Sequence, residues 1–303
     1  KNIIINGDMS IAQRGTSFTG LGDTDSQYTL DRFKWSEEGS SGTAEFTITQ
    51  STDVPTGQGF ATSLKLDCTT ADTSIDSGNI IYIDQRVEGQ NLQYLKYGTS
   101  SAESTTLSFW VKSNKTGTYI CEFLDADNSN RHINKSYTIS SANTWEKKTI
   151  TFAGDTTGAF DNDNGNSLSL NFWLVAGSDY TSGTLQTSWG ANTSANRAVG
   201  QVNLADSTSN EWYITGIQLE AGDSASDFEF LPVDVNLHRC ERYFETIADG
   251  SQPTYGTVAK ICNASVYATT AAYSAFQYRT IKRTAPSLYV TTGSQFYRFR
   301  SGG

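Results

Sequence analysis

The sequence lacks an apolar run long enough to span a membrane, and it lacks a recognisable signal peptide. It also lacks a cluster of basic residues, because its 22 Lys and Arg are scattered and outnumbered by 32 Asp and Glu, for a formal net charge of −10. Since binding to a phosphate backbone depends on clustered positive charge, we expect no nucleic-acid partner. We also expect no membrane insertion. The chain opens on Lys1 rather than Met, so we expect a longer N-terminal portion.

Cysteine and histidine are scarce, which restricts metal and nucleophile chemistry. The four cysteines have no CxxC spacing, and three lie among apolar or alternating residues, so we expect buried free thiols. They are Cys68, Cys121, Cys240 and Cys262. The two histidines, His132 and His238, have no adjacent Ser or Cys in a nucleophile context. Nothing in the sequence pairs two carboxylates for glycan cleavage, so we expect no enzyme.

What is present is typical of an all-β protein. Thr, Tyr, Phe and Gly are abundant, prolines number only 4, and alternating apolar and polar segments are separated by Gly, Ser, Asp and Asn turns. The last long segment of this kind predicts a closing strand at Trp212–Glu220, with Tyr213, Ile217 and Leu219 on one face. The number of strands and the long connections favour a two-sheet jelly-roll β-sandwich.

The pattern changes after residue 232. Leu237, Cys240 and Phe244 recur at i, i+3 and i+7 and predict one short amphipathic helix at Val233–Glu245. Further strand-like segments follow, in a tail with a different composition. We therefore divide the chain into a jelly-roll sandwich, a helical connector and a small C-terminal β domain that we expect to be incomplete: residues 1–232, 233–247 and 248–303.

Four blocks of the sequence together resemble a family of phage virion proteins. They are NIIINGDMSIAQRG, TLSFWVKS, TWEKKTITFAG and WYITGIQLEAGDSASDFEFLPVDVNLHRCERYFE, and their order over most of residues 1–246 also matches. The family consists of tail-fibre, tailspike and head-fibre proteins that carry a carbohydrate-binding-module-like jelly roll. The later segment KRTAPSLYVTTG, Lys282–Gly293, looks like the strand that follows the helix in such proteins.

The resemblance implies a structural virion component on a tail fibre or another exterior appendage, commonly a homotrimer that contacts other virion proteins. It also implies attachment to a glycan of the host surface. Because a fold does not fix a function, two alternatives stay open: a capsid or tail spacer without glycan binding, and an accessory of a polysaccharide depolymerase. For the stripe of Leu237, Cys240 and Phe244, we favour packing against sister helices at a three-fold axis over packing against the underside of the sandwich.

Aromatic residues are the first candidates for a glycan site, because sugar faces stack on Trp and Tyr rings. Trp110 and Trp173 have the parity opposite to the core residues of their strands, so each faces outward or onto a second layer. Trp189 and Tyr180 lie in a polar loop rich in Gly, Ser and Thr. The alternative for all four is that they seal a sheet edge or a trimer contact.

An acidic turn is the second candidate site. Asp161, Asp163 and Gly165 in GAFDNDNGNSL have the D-x-D-x-G spacing that can surround Ca²⁺ with oxygen ligands. The Glu that would complete an EF-hand loop is missing, because Phe172 occupies its position. A solvated acidic turn is therefore the alternative. We expect no cofactor other than a structural calcium ion at this turn.

Overall fold

Two antiparallel six-stranded sheets form the body of the protein. A computed structural model describes residues 2–22, 26–39, 42–247, 264–268 and 271–287. Sheet 1 consists, in spatial order, of β1 (Ser17–Leu21), β4 (Glu45–Ser51), β5 (Ser63–Thr70), β12 (Glu211–Ala221), β7 (Thr105–Ser113) and β10 (Glu146–Phe152). Sheet 2 consists of β2 (Gln27–Tyr28), β3 (Lys34–Glu38), β6 (Ile80–Glu88), β11 (Asn166–Ala176), β8 (Gly117–Asp125) and β9 (Arg131–Ile139).

Most neighbouring strands in each sheet are distant in sequence, as in a jelly roll. This confirms the predicted all-β sandwich. The helices are short: α1 (Ser178–Thr181) is a single turn that the sequence pattern did not indicate, and α2 (Val233–Glu241) is shorter than predicted. Three 3₁₀ turns lie at Gly89–Asn91, Gln93–Leu95 and Ser194–Asn196. Strands β13 (Ala264–Ala268) and β14 (Ala271–Ser274) form a separate hairpin.

The core lies between the facing sides of the two sheets. Its fully buried members include Phe46 and Phe109 from sheet 1 and Phe123 and Phe172 from sheet 2, and the rings of Phe109 and Phe172 meet across the core at 5.2 Å. Burying each of these side chains stabilises the fold by roughly 1.5–3 kcal/mol. Alternation along each strand thus leaves every second side chain on an outer face, where a functional site must be sought.

A bulge in β12 changes which residues of the closing strand face the core. The register with β7 shifts between Thr215 and Gln218, and Gly216 has a φ of 64°. Trp212 and Ile214 point into the core before the bulge, and Ile217 and Leu219 do so after it. The prediction that Tyr213 shares a face with Ile217 was therefore wrong, because an extra residue reverses the parity. Tyr213 lies on the outer face of sheet 1.

Helix α2 packs on the N-terminal segment of its own chain. Cys240 is buried against Ile5 and Ile11, with Leu237 beside them. Phe244 follows the helix and lies under the guanidinium of Arg14, with 3.7 Å from Cζ to the ring centroid. The preferred interpretation, in which this stripe meets sister helices at a three-fold axis, disagrees with the packing, because the N-terminal segment already covers the stripe.

The remaining sequence predictions concern thiols and domains. Cys68, Cys121 and Cys240 are buried free thiols, and burial raises the pKa of Cys68 to about 11. Cys262 lies outside the described residues, as does part of the predicted C-terminal domain of residues 248–303. The division into three domains stays a prediction. No helix within the described ranges combines the length and apolar composition needed to span a bilayer.

Candidate functional site

The outer face of sheet 2 is covered by residues 177–203, which we call the cover segment. Its backbone extends the pairing of β9, because Gly190 exchanges hydrogen bonds with His132, at 3.1 and 3.2 Å, and the Asn134 amide donates to Gln186 O at 2.8 Å. The Gln201 side chain accepts from the Ile120 amide at 2.8 Å. Several side chains that point away from the core on this sheet, among them Tyr82, Glu122 and Trp173, are therefore buried beneath a second layer.

A buried ion pair lies at the centre of that second layer. Arg197 of the cover segment donates from Nε to Glu122 Oε1 at 2.7 Å and from Nη2 to Oε2 at 2.8 Å. Asn171 Nδ2 and Trp173 Nε1 also donate to Oε2, at 2.7 and 3.3 Å. Burial alone would raise the pKa of Glu122, but the charge and hydrogen bonds of Arg197 outweigh it and lower this pKa.

His132 connects the same layer to the cover segment. Its Nδ1 lies 2.7 Å from Asn134 Oδ1, so Nδ1 carries the proton, and Nε2 accepts from the Thr193 amide at 3.2 Å. Nδ1 is also 3.9 Å from Glu122 Oε1. Burial lowers the pKa of His132, which favours the neutral imidazole that this geometry needs.

Trp173 and Tyr180 are brought together in this layer, with ring centroids 5.7 Å apart. Arg197 lies over both rings, with Cζ 5.0 Å from the Trp173 centroid. Trp173 faces away from the core as its parity required, but the cover segment buries it fully. This corrects the hypothesis that Trp173 offers a face to a sugar; Tyr180 is half-buried in the same contact.

Trp189 lies apart from that pair, at the edge of the sandwich. Its Nε1 donates to Ala153 O at 2.7 Å, and its ring meets Tyr97 edge-on at 5.8 Å. The ring packs against the main core and is half-buried. This position agrees with the alternative, in which the tryptophan seals an edge.

The outer face of sheet 1 carries the more open arrangement. A row of side chains crosses it: Tyr213 of β12 lies opposite Lys65 of β5 and Lys112 of β7, and Trp145 precedes β10 beside Lys112. The Lys112 ammonium is 4.2 Å from the Tyr213 ring centroid and 5.6 Å from that of Trp145. Trp110, two residues before Lys112 and opposite Thr215, is half-exposed on the same face.

Two carboxylates hold this row in place. Asp53 Oδ1 accepts from Trp145 Nε1 at 3.0 Å, and its Oδ2 pairs with the Lys112 ammonium. Burial would raise the pKa of Asp53, but the hydrogen bonds from Lys112 and Trp145 outweigh it and lower this pKa. Across the row, Glu211 accepts from the Tyr213 hydroxyl and from Lys65 Nζ, each at 2.7 Å.

We call this surface the aromatic patch; it consists of Trp110, Trp145, Tyr213, Lys65, Lys112, Asp53 and Glu211. Half-exposed indole rings surrounded by ammonium and carboxylate groups can stack on a sugar ring and hydrogen-bond its hydroxyls. The sequence indicated Trp110 but missed the other two aromatic residues of the patch. Tyr213 was missed because of the bulge. Trp145 was included in the predicted strand but was not considered as a site residue, although its parity relative to Lys147 and Thr149 places it on the outer face.

The acidic turn has no metal-binding geometry in the described part of the chain. Asp161 and Asp163 are exposed, and Asp163 Oδ1 accepts from the Gly165 amide at 2.7 Å, which closes a local turn. No group of three or more His, Cys, Asp or Glu among the described residues is arranged to hold a metal ion. The residues present at this turn therefore do not provide the oxygen shell that calcium requires.

Comparisons with known proteins find similarity at low identity. No protein-family model and no curated protein matches the chain. A bacteriophage CBA120 tailspike protein 4 domain is 15% identical at a TM-score of 0.38, over 73% of this chain and 21% of that one. A family 11 carbohydrate-binding module from Clostridium thermocellum, in complex with a β-1,3-1,4-mixed-linked tetrasaccharide, is 12% identical at a TM-score of 0.34, over 68% and 98%. The C-terminal family 22 module of Clostridium thermocellum Xyn10B is 10% identical at 0.34, over 70% and 98%. Among solved structures, the chain is thus similar to carbohydrate-binding modules and to a phage tailspike domain.

Proposed function

We propose that this chain is part of a virion surface protein, such as a tail fibre, and that its sandwich binds a glycan of the host surface. The observation that carries the proposal is the aromatic patch on the open face of sheet 1. Its indole rings are half-exposed, whereas Trp173 on the opposite sheet is fully buried. The sequence resemblance to phage fibre and tailspike proteins supports the virion location.

The aromatic patch is organised before any ligand arrives. The Trp145 ring is fixed through Nε1 by Asp53, and Lys112 lies between this ring and Tyr213. A preorganised surface loses little conformational freedom on binding, which is favourable for a small sugar. A shallow face gives weak single contacts, so we also propose that the protein acts as a homotrimer, in which effective concentration strengthens attachment. The proposal includes no catalytic step.

The test is glycan-array and host-cell binding of the full chain, followed by affinity electrophoresis with any polysaccharide that binds. Trp145→Ala and Trp110→Ala should each reduce binding strongly. Tyr94→Ala is the matched control, because Tyr94 is a 50% exposed aromatic residue on a 3₁₀ turn outside the patch. Equal binding by all three variants would contradict the assignment of the glycan site to the aromatic patch. Release of reducing ends from the polysaccharide would contradict the proposal that the protein binds without catalysis.

A second candidate function is a structural spacer that packs against another virion protein. Exposed apolar side chains on and before α2 favour it, namely Phe230, Val233 and Val235. Large contiguous apolar patches on a protein surface mark sites of interaction with a partner. If Phe230→Ser and Val233→Ser abolish incorporation into particles while the Trp145→Ala variant attaches normally to host cells, the spacer function is the correct one.

A further inference from the structure

A small cavity of about 110 Å³ lies where the N-terminal segment, the turn before β3 and the residues after α2 meet. Three arginines line it, Arg14, Arg32 and Arg283, against a single carboxylate, Asp31. Such a concentration of positive charge is unexpected in a chain of net charge −10. A concave site with low-dielectric walls focuses the field of its charges, so this cavity attracts anions even though the protein as a whole repels them.

Arg32 has hydrogen-bonding capacity that the described part of the protein leaves unused. Its side chain is stacked on Tyr243, with Cζ 3.4 Å from the ring centroid, and Nη2 donates to Arg86 O. The residue is only 5% exposed, yet Nε has no hydrogen-bond partner among the described residues. Its backbone adopts a left-handed φ of 73°. Strained backbone and an unsatisfied buried donor both cost free energy, and such features concentrate at binding sites.

Arg14 is a second cation that lines the cavity. Its guanidinium stacks on Phe244, and within the described ranges it donates no hydrogen bond and forms no ion pair. Burial lowers the pKa of Arg14 below its ordinary value, against the opposing charge of Asp31, and the charge of Arg32 lowers it further. The two arginines therefore repel each other across the cavity, and a bound anion would remove that cost.

Asp31 offsets part of this positive charge, since its charge raises the pKa of Arg14, but it forms no close ion pair with either arginine in the described part of the chain. Its Oδ2 accepts from the Gln13 amide and its Oδ1 from Gln13 Nε2, both at 2.6 Å. No ion pair within 4.0 Å joins Asp31 to an arginine in the part of the chain that the structure describes. The carboxylate is thus committed to Gln13, and an excess of positive charge stays available to a ligand.

We propose that this cavity binds a compact oxyanion, the carboxylate or phosphate group of a small ligand. The planar guanidinium fork matches paired oxygens, and the guanidinium groups of Arg14 and Arg32 are both stacked on aromatic rings. The cavity borders β2 and α2, whereas the aromatic patch lies on sheet 1. The oxyanion site is therefore independent of the proposed glycan binding, and either can fail without the other.

The test is titration calorimetry of the full chain with inorganic phosphate, acetate and glucuronate in turn, at constant ionic strength set with chloride. We expect saturable binding at one site for at least one probe. Binding of phosphate alone would identify a phosphate site. Binding of acetate and glucuronate would identify a carboxylate site. Arg14→Met, which keeps an apolar chain over Phe244, should weaken binding at least about tenfold, because a charged hydrogen-bonding group is lost.

Two further variants keep the proposal falsifiable. Lys96→Gln removes an exposed positive charge outside the cavity and should leave the affinity unchanged. Arg14→Lys keeps the charge but removes the fork, so its affinity should fall between those of the wild type and Arg14→Met; it also replaces Arg14→Met if that variant does not fold. No saturable binding by any probe, an Arg14→Met affinity equal to that of the wild type, or an equal loss with Lys96→Gln would each overturn the proposal.

Discussion

Arg197 and Glu122 lie 75 positions apart in the chain and form a two-point ion pair that fastens the cover segment to sheet 2. The Glu122 side chain is fully buried, and that of Arg197 is 12% exposed. The cover segment crosses the sheet without a regular strand of its own, and this pair is one of the contacts that hold it there, together with those of His132 and the bond from the Ile120 amide to Gln201. The pair therefore contributes to keeping this outer face covered.

The first prediction concerns that ion pair. Arg197→Met should lower the free energy of unfolding by about 3–5 kcal/mol, because it leaves a buried carboxylate without its partner. The double variant Glu122→Gln/Arg197→Met should be more stable than Arg197→Met alone. In it the Gln carbonyl still accepts from Asn171 and Trp173, and no uncompensated charge stays buried. Urea unfolding of the two variants and the wild type measures the difference.

The control for this prediction is the exposed pair of Lys96 and Glu103, whose side chains are 53% and 43% exposed. Lys96→Met should change the free energy of unfolding by less than about 1 kcal/mol, because solvent screens such pairs. Similar losses of unfolding free energy in Lys96→Met and Arg197→Met would show that burial does not increase the cost of breaking the Arg197–Glu122 pair.

The second prediction is a loss of stability on acidification through His132. Its folded-state pKa lies below the ordinary value of 6.5, so the unfolded chain binds the proton more tightly. The contribution of His132 to the free energy of unfolding is complete above pH 6.5 and is lost as the pH falls, at up to about 1.4 kcal/mol per pH unit for one proton. A proton on Nε2 would also displace the Thr193 amide, so exchange of that amide should accelerate. Glu122 and Arg197, which face the ring, act on it with opposite signs.

The comparison for this prediction is His132→Gln against His238→Gln, the variant of an exposed histidine. Between pH 7 and pH 5, stability should depend less on pH in His132→Gln than in the wild type, and this change should exceed any change in His238→Gln. Asp125, whose pKa burial raises to about 6, acts in the opposite direction but is common to all three proteins. Identical pH dependence in all three would contradict the role of His132.

The third prediction concerns the bulge of β12. Gly216→Ala should destabilise the protein more than Gly20→Ala, although the two glycines have nearly equal φ angles of 64° and 66°. A Cβ at residue 216 would lie 2.6 Å from the Phe60 ring, whereas a Cβ at residue 20 meets nothing within 4 Å. Gly20→Ala therefore measures the cost of φ alone, about 1–2 kcal/mol. Overpacking adds about 1–3 kcal/mol at residue 216. If thermal unfolding shows equal destabilisation of the two variants, the contact with the Phe60 ring does not add to the cost at residue 216.

These elements also show how far the sequence could predict the protein. Alternation predicted the sandwich, because it reports which side chains face the core. It could not distinguish Trp110 from Trp173: both face outward, and only the cover segment, fixed by Arg197 and Glu122, buries one of them. The bulge at Gly216 inverted the prediction for Tyr213, since one parity was applied along the whole strand although the extra residue switches it. Local patterns thus specify strands, while long-range contacts select the open face.

The fourth prediction concerns the attachment of α2 to sheet 2. Glu88, which is buried, accepts from Arg242 Nε and Nη2 at 2.7 Å each and from the Tyr243 hydroxyl. Burial would raise its pKa, but these hydrogen bonds outweigh it and lower the pKa to about 2. The contribution of Glu88 to stability is therefore complete above its ordinary pKa of 4.5 and is lost as the pH falls toward about 2.

Removing the arginine should release the helix at neutral pH. Arg242→Met should cost about 1.5–3 kcal/mol, the usual contribution of hydrogen bonds to a charged group. Hydrogen exchange should then accelerate in α2 before it does so in the strands of the sandwich. Arg279→Met is the matched control, because Arg279 also pairs with a buried carboxylate, that of Glu241, but is itself 60% exposed. If protection of α2 falls equally in both variants, or in neither, the Glu88–Arg242 pair does not hold α2 on the sandwich. A selective loss of protection in Arg242→Met would show that this pair fixes α2 to the sandwich, and with it one wall of the cavity lined by Arg14 and Arg32.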